Sequence, residues 1–402
     1  MTNNSTGMEM NKSKGITLTK GLVLLMSITC GLAVANLYYN QPLLADMGRT
    51  FHANSHQVGN ISMFTQIGYA VGMFLFVPLG DMRERRHLIT VLLASVTIAL
   101  IGVATAQNLL WIYAASLAVG ITTVVPQVII PLAAQMSEPA ERGKVIGSVM
   151  GGLLFGILLA RTVAGVIGGS FGWRMMYWVA AVLMLALAII LNRFLPKSHP
   201  EANLTYRQVL KSLGELILTQ PTLREASLVG AMLFGSFSVF WTSLAFYLEG
   251  APFYFGSQVT GLFGLVGVVG AAAAPFVGRI ADRFSPKSMV GMFIILTLLS
   301  FMFFGLFGSA VWGIVFGVIL LDLGVQGAQV SNQARIYSLV PEARSRLNTV
   351  YMVTYFLGGS LGSSLGSFAW NLWQWQGVCL TGGIMIVLGF IVWGVHQLKN
   401  KS

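Results

Sequence analysis

The chain has 402 residues, of which 55% are hydrophobic and only 9% charged, against about a quarter charged in soluble domains. So few polar groups cannot cover a water-exposed surface, which makes lipid the solvent for most of this chain. The net charge of +11 would suggest a nucleic-acid partner in a soluble protein. The two cysteines, Cys30 and Cys379, fall in apolar segments without metal-ligand spacing, so no disulfide framework, metal site or cofactor is expected.

In chain order, a polar stretch from Met1 to Lys20 leads into an apolar run too long for a signal-peptide core, so no cleaved signal is expected. Segments long enough to span a bilayer, at about 20 residues each, lie at 19–47, 57–79, 87–106, 108–135, 143–169 and 173–195. Six more follow at 223–249, 257–280, 288–308, 311–338, 347–370 and 376–397. The expected fold is an all-α membrane protein of twelve transmembrane helices in two six-helix pseudo-symmetric bundles, at 19–195 and 223–397. A tail at 1–18, a linker at 196–222 and a tail at 398–402 complete it. Within the linker, "TYRQVLKSLGELIL" has apolar residues near helical spacing, so it either lies on the membrane surface or tethers the halves.

Basic residues orient the spans. All of the 24 Lys and Arg except Arg49, Arg174 and Arg161 fall on one side, in the termini, the linker and the even-to-odd connections. The positive-inside rule then places both termini in the cytoplasm. The basicity is topological, and the nucleic-acid reading falls away.

The halves repeat. "QVIIPLAAQMSEPAERGK" (127–144) aligns without gaps on "QVSNQARIYSLVPEARSR" (329–346), 202 residues later, with Gln127/Gln329, Val128/Val330, Pro139/Pro341 and Arg142/Arg344 identical. Duplication of this kind is typical of transporters with a midplane site between repeats. At the same spacing "NLYYNQ" (36–41) falls on "SVFWTS" (238–243), so both first helices carry an aromatic–aromatic–polar–polar cluster. Asn36, Tyr38, Tyr39, Asn40 and Gln41 with Phe240, Trp241 and Thr242 are the candidate cavity lining, because polar groups facing lipid are costly. The other reading puts Tyr38 and Tyr39 in an interfacial aromatic belt.

These features resemble the major facilitator superfamily, in particular its bacterial twelve-helix drug:proton antiporter and small-solute efflux branch. The family signature G-x-x-x-D-R-x-G-R-[RK] stands here as "VPLGDMRERR", with Asp81, Arg85 and Arg86 matching and Val77 and Met82 departing. A second copy, "GRIADRFSPK", keeps Gly278, Asp282, Arg283 and Lys287. The resemblance implies that Asp81, Arg85, Arg86, Asp282, Arg283 and Lys287 form a cytoplasmic gate whose carboxylate faces a helix N-terminus. The antiporter signature G-P-x-x-G-G is partly kept in "ARTVAGVIGG", where Gly168 and Gly169 match but Ala164 and Gly165 replace Gly and Pro. Four-residue glycine spacings at 147/151, 152/156 and 358/362/366 favour close helix packing.

Few ionisable residues remain inside the spans. Asp46 and Glu249 sit at outer helix ends, where an ordinary interfacial role suffices. Arg161 suits a structural ion pair nearly as well as a functional role. Asp322 lies near mid-membrane, where a charge costs about 2.5–3.5 kcal/mol, and shares a helix face with Gln326, Gln329 and Gln333. Asp322 and Arg161 are therefore the proton-coupling candidates, and Gln326 and Gln329 join the substrate-binding ones. The expected function is proton-driven export of small organic solutes or drugs by alternating access, in the bacterial inner membrane. Its partners would be a small-molecule substrate, protons and lipid, and the resemblance implies a monomer. A facilitator or proton symporter for uptake is the alternative. No catalytic constellation or nucleotide-binding motif points to an enzyme.

Overall fold

The computed structural model describes residues 18–138, 140–197, 205–267 and 285–399, and among these all regular structure is helical. Helix α1 (Lys20–Ala35) is opened by Thr19, whose hydroxyl accepts from the Leu22 amide at 3.3 Å. The first span is not the single helix expected. The backbone turns through Asn36–Asn40, forms a 3₁₀ turn at Gln41–Leu43 and resumes as α2 (Leu44–Phe51). Pro42 accounts for the break, since it has no N–H and its ring crowds the carbonyl of Tyr38. That carbonyl accepts from the Gln41 amide instead, at 3.2 Å. The "NLYYNQ" cluster therefore lies on a turn inside the bundle, not on a helix face.

Next come α3 (Ser55–Met82), begun by an Asn54–Gln57 capping box, and α4 (Arg85–Ala104), begun by the Glu84 carboxylate on two amides. The fourth span is α5 (Leu109–Thr122) and α6 (Val125–Met136), parted just before Pro126. Helices α7 (Arg142–Phe171) and α8 (Trp173–Phe194) turn on Gly172 alone, whose φ of +87° suits a residue without Cβ. Linker helix α9 (Tyr206–Thr219) leads to α10 (Pro221–Glu249). Helix α11 is described over 257–267. Then follow α12 (Pro286–Phe307), α13 (Val311–Tyr337) and α14 (Arg344–Lys399), the last kinked at Trp373 and Gln374. Among the described residues nine helices are long and apolar enough to cross a membrane. With α14 counted as two spans and the broken first span added, the described residues hold eleven of the expected twelve, and α11, described over 257–267, stands at the place of the twelfth.

Ile98, Leu110, Val182 and Leu306 stand exposed on the outside of the bundle, as lipid-facing residues do. Inside, small residues let backbones touch. Gly31 meets the backbone of Gly152 and Gly156 between α1 and α7, and Gly358 and Gly362 meet Ala231 and Gly235 between α14 and α10. These glycine rows thus close each six-helix half within itself. The linker helix buries Val209, Leu213 and Leu216, and Tyr206 donates to the Leu75 carbonyl at 3.3 Å, so it is packed against the bundle as more than a bare tether.

Inside the second half, Arg335 forks onto Glu225 at 2.5 and 3.2 Å and reaches Asn332 at 3.1 Å, both charges being buried. Breaking a buried pair leaves one charge uncompensated, a cost of about 3–5 kcal/mol. Glu225→Ala should accordingly lower the melting temperature of the purified protein strongly. The double replacement Glu225→Leu/Arg335→Met should recover most of the loss, and equal loss in both variants would mean the charges themselves are required.

Candidate functional site

The site is built around Arg161 of α7, which is 1% exposed. Its Nε donates to Gln41 Oε1 at 2.6 Å, so the turn before Pro42 holds the guanidinium in place. Its flat face lies 3.9 Å from the Trp241 ring centre, with the rings of Tyr38 at 4.9 Å and Phe237 at 5.4 Å. Such contacts contribute about 2 kcal/mol or more when desolvated. Both Nη atoms are buried without a hydrogen-bond partner.

Asp322 of α13 is equally buried, and its Oδ2 has no partner. Its carboxyl group lies against Gly267 of α11, where a Cβ would sit 3.2 Å from Oδ1. It is within electrostatic reach of Arg161, Tyr38 and Tyr355. No ion pair forms, since no Arg161 nitrogen comes within 4.0 Å of the carboxylate. Arg161 belongs to the first half and Asp322 to the second, so opposite charges face each other, unpaired, across the interface.

Not every candidate lies in this chamber. Tyr39 points to the other side of the first span, into a groove of about 920 Å³ shared with Ser27, Gly156 and Met176. Asn40 accepts from Ser62 at 2.8 Å and faces Thr65 at 3.4 Å, tying the turn to α3. Phe240, expected in the cavity lining, stacks on Phe304 at 4.3 Å inside the second half, and Phe237 is the phenylalanine of this helix that lies beside Arg161. Thr242 donates to Ser363 at 3.0 Å. Asn36 is buried with both amide atoms unpartnered, and Gln326 is half-buried. The repeat-related glutamines behave alike. Gln127 donates to Tyr69 at 3.2 Å and Gln329 accepts from Tyr355 at 3.3 Å. Tyr69 then packs on Phe356 at 4.5 Å across the halves, while Tyr355 stacks on Phe234 at 4.1 Å.

The halves join from mid-depth to the end that the basic residues assign to the outside. Gln66 donates to Ser363 at 2.9 Å and accepts from Ser238 at 3.4 Å. His56 meets Phe368 edge-on at 5.4 Å. Thr162 donates to the Gly261 carbonyl at 2.9 Å, and Gly165 and Gly169 lie against α11 at Gly261 and Gln258. At the rim Arg49 contacts Asp46 and Glu249, and Ser257 donates to Asp46. Asp46 and Glu249 therefore have a role beyond that of interfacial residues, because they belong to an ionic bridge between the halves. They stand at the outer ends of equivalent first helices, a placement visible in the sequence.

At the opposite end, rich in basic residues, Asp81 sits in the last turn of α3. Arg85 donates to Gly80 at 2.7 Å and Gln135 at 2.6 Å, and Arg86 to Leu195 at 3.2 Å, all within the first half. Lys287 opens α12, while Asp282 and Arg283 lie outside the described residues.

The arrangement matches known proteins over the whole chain. The family model of the Major Facilitator Superfamily matches residues 25–328 and 251–400. An uncharacterized transporter, YgaY, of Escherichia coli O157:H7 is 41% identical over 387 residues, 96% of this chain and 98% of that one. The probable transporter SCO4007 of Streptomyces coelicolor is 31% identical over 93% of this chain and 87% of its own length. Among solved structures, a bacterial homolog to the human lysosomal transporter Spinster, in an inward-facing and unoccupied conformation, superposes with a TM-score of 0.74 at 15% identity, over 92% of this chain and 95% of that one. On these matches and on its helical spans, the chain belongs to the Major Facilitator Superfamily and is a membrane transporter, not an enzyme.

Proposed function

We propose that the protein exports small organic solutes in exchange for protons, from the bacterial inner membrane, with both termini cytoplasmic. The observation that carries this reading is the unpaired Asp322 and Arg161, one on each half, buried in an aromatic chamber at the interface. Rocking of the bundles 19–195 and 223–397 changes the wetting of the carboxyl group and its distance from the guanidinium. A proton taken up in one state is then released in the other. The contacts at the outer end keep that end shut here, and an exporter would load its solute from the opposite, cytoplasmic side. Asp81, Arg85, Arg86, Asp282, Arg283 and Lys287 would form the opposing gate when that side closes.

Everted vesicles from cells producing the protein test direction and coupling together. With the vesicle interior made acidic, they should accumulate a substrate found in a compound-resistance panel, and an uncoupler should abolish the accumulation. Equilibration at the same rate with or without the gradient would make the protein a facilitator.

A further inference from the structure

We infer that the solute held in this chamber is a small zwitterion of amino-acid type, carrying an ammonium and a carboxylate on an apolar or aromatic body. The inference rests on reading the Arg161–Asp322 chamber as the transport site. Because the Arg161 Nε is spent on Gln41 and the guanidinium plane on Trp241, the end-on fork of Nη1 and Nη2 is the part of the group left without a partner. Two parallel N–H groups at that fork match the two oxygens of a carboxylate. On the other half, Asp322 Oδ2 is a buried acceptor with no donor among the protein's own groups.

A direct pair would satisfy both groups, yet they are held more than 4.0 Å apart. Asp322 is backed by Gly267, and Arg161 is clamped by Gln41 and three rings. A simple anion would pair with Arg161 but could not displace the proton of a neutral Asp322, a simple cation would displace it and leave the guanidinium unpaired, and a neutral solute does neither. Each buried charge left unpaired is expensive. Only a molecule bearing both charges completes the chamber. Its body would lie against Tyr38, Phe237 and Trp241.

The charges also provide an exchange step that balances. The solute's ammonium takes the place of the proton on a neutral Asp322 carboxyl group, and that proton leaves to the side from which the solute came. On the other side a proton returns to Asp322 and the ammonium leaves with its solute. No bond other than O–H forms or breaks.

Three probes of one skeleton, L-phenylalanine, 2-phenylethylamine and 3-phenylpropionate, separate the charges. Their binding to the purified full-length protein in lipid nanodiscs is read by calorimetry, with no gradient present. L-Phenylalanine should bind at least about tenfold tighter than either single-charge probe. Arg161→Gln should make phenylalanine and phenylethylamine equivalent, and Asp322→Asn should do so for phenylalanine and phenylpropionate. Equal binding of the three probes by the unaltered protein, tighter binding of a single-charge probe, or no binding at millimolar concentration would each overturn the inference. The unaltered protein decides even if a variant fails to fold. Persisting gradient-driven export of some other compound would then confine the failure to the solute class.

Discussion

Valine in place of Gly165 should hold the outer end of the protein open. A Cβ there would meet the Ser257 carbonyl and lie 2.8 Å from the Gly261 Cα, with backbone on both sides and no flexible side chain to give way. The helices α7 and α11 would have to part, taking with them the Thr162–Gly261 hydrogen bond and the Gly169–Gln258 contact. The rim ions would not compensate. Arg49 is 59% exposed, and such surface pairs contribute only about 0–1 kcal/mol. Close backbone packing therefore carries most of the closure, and Arg49→Ala should have a far milder effect than Gly165→Val.

The expected result is transport reduced by about tenfold or more, with membrane insertion intact. In a background lacking Cys30 and Cys379, a cysteine in place of Thr260, buried beside this contact, should react much faster with an impermeant maleimide from outside. Gly305→Val is the control, since that glycine has no neighbouring atom within 4 Å and the substitution is otherwise the same. Unchanged labelling and transport in Gly165→Val would show that this contact is not a working gate.

Much of the architecture was legible beforehand. Long apolar segments and the lopsided distribution of Lys and Arg led to twelve spans, and the glutamine repeat at 127 and 329 marked two groups that each hydrogen-bond a tyrosine, Tyr69 and Tyr355, although those tyrosines are not themselves repeat-related. Rotation about the helix axes was not legible. Matching "NLYYNQ" to "SVFWTS" aligns the chain but not the faces, because Pro42 breaks the first helix while α10 runs on unbroken. In a continuous helix Phe237 and Trp241, four residues apart, share a face, and Phe240 points elsewhere. That is why Phe237, not Phe240, lies beside Arg161, and why Tyr39 leaves the chamber. The outer ionic bridge escaped for a different reason. Charges at helix ends are common, and only the approach of the two first helices distinguishes Asp46, Arg49 and Glu249 from ordinary rim residues.

The largest functional effect is expected at Asp322. Nothing in the repeat requires an acid there, since Gly120 occupies the equivalent place in the first half. The second half has added a costly mid-membrane charge and set it opposite Arg161 without pairing the two. A group that served only to fasten α13 to α7 would be expected in contact with its partner, as Arg335 is with Glu225. Asparagine keeps the size and one acceptor of the carboxyl group but cannot carry a proton. Asp322→Asn should therefore fold, insert and still bind a solute through the Arg161 fork, while proton exchange stops. The decisive measurement uses proteoliposomes with the solute inside and outside and an imposed pH gradient. The unaltered protein should drive net solute movement against its concentration. Asp322→Asn should carry out solute–solute exchange alone, with no response to the gradient, whereas undiminished gradient-driven transport by that variant would contradict the role given to Asp322.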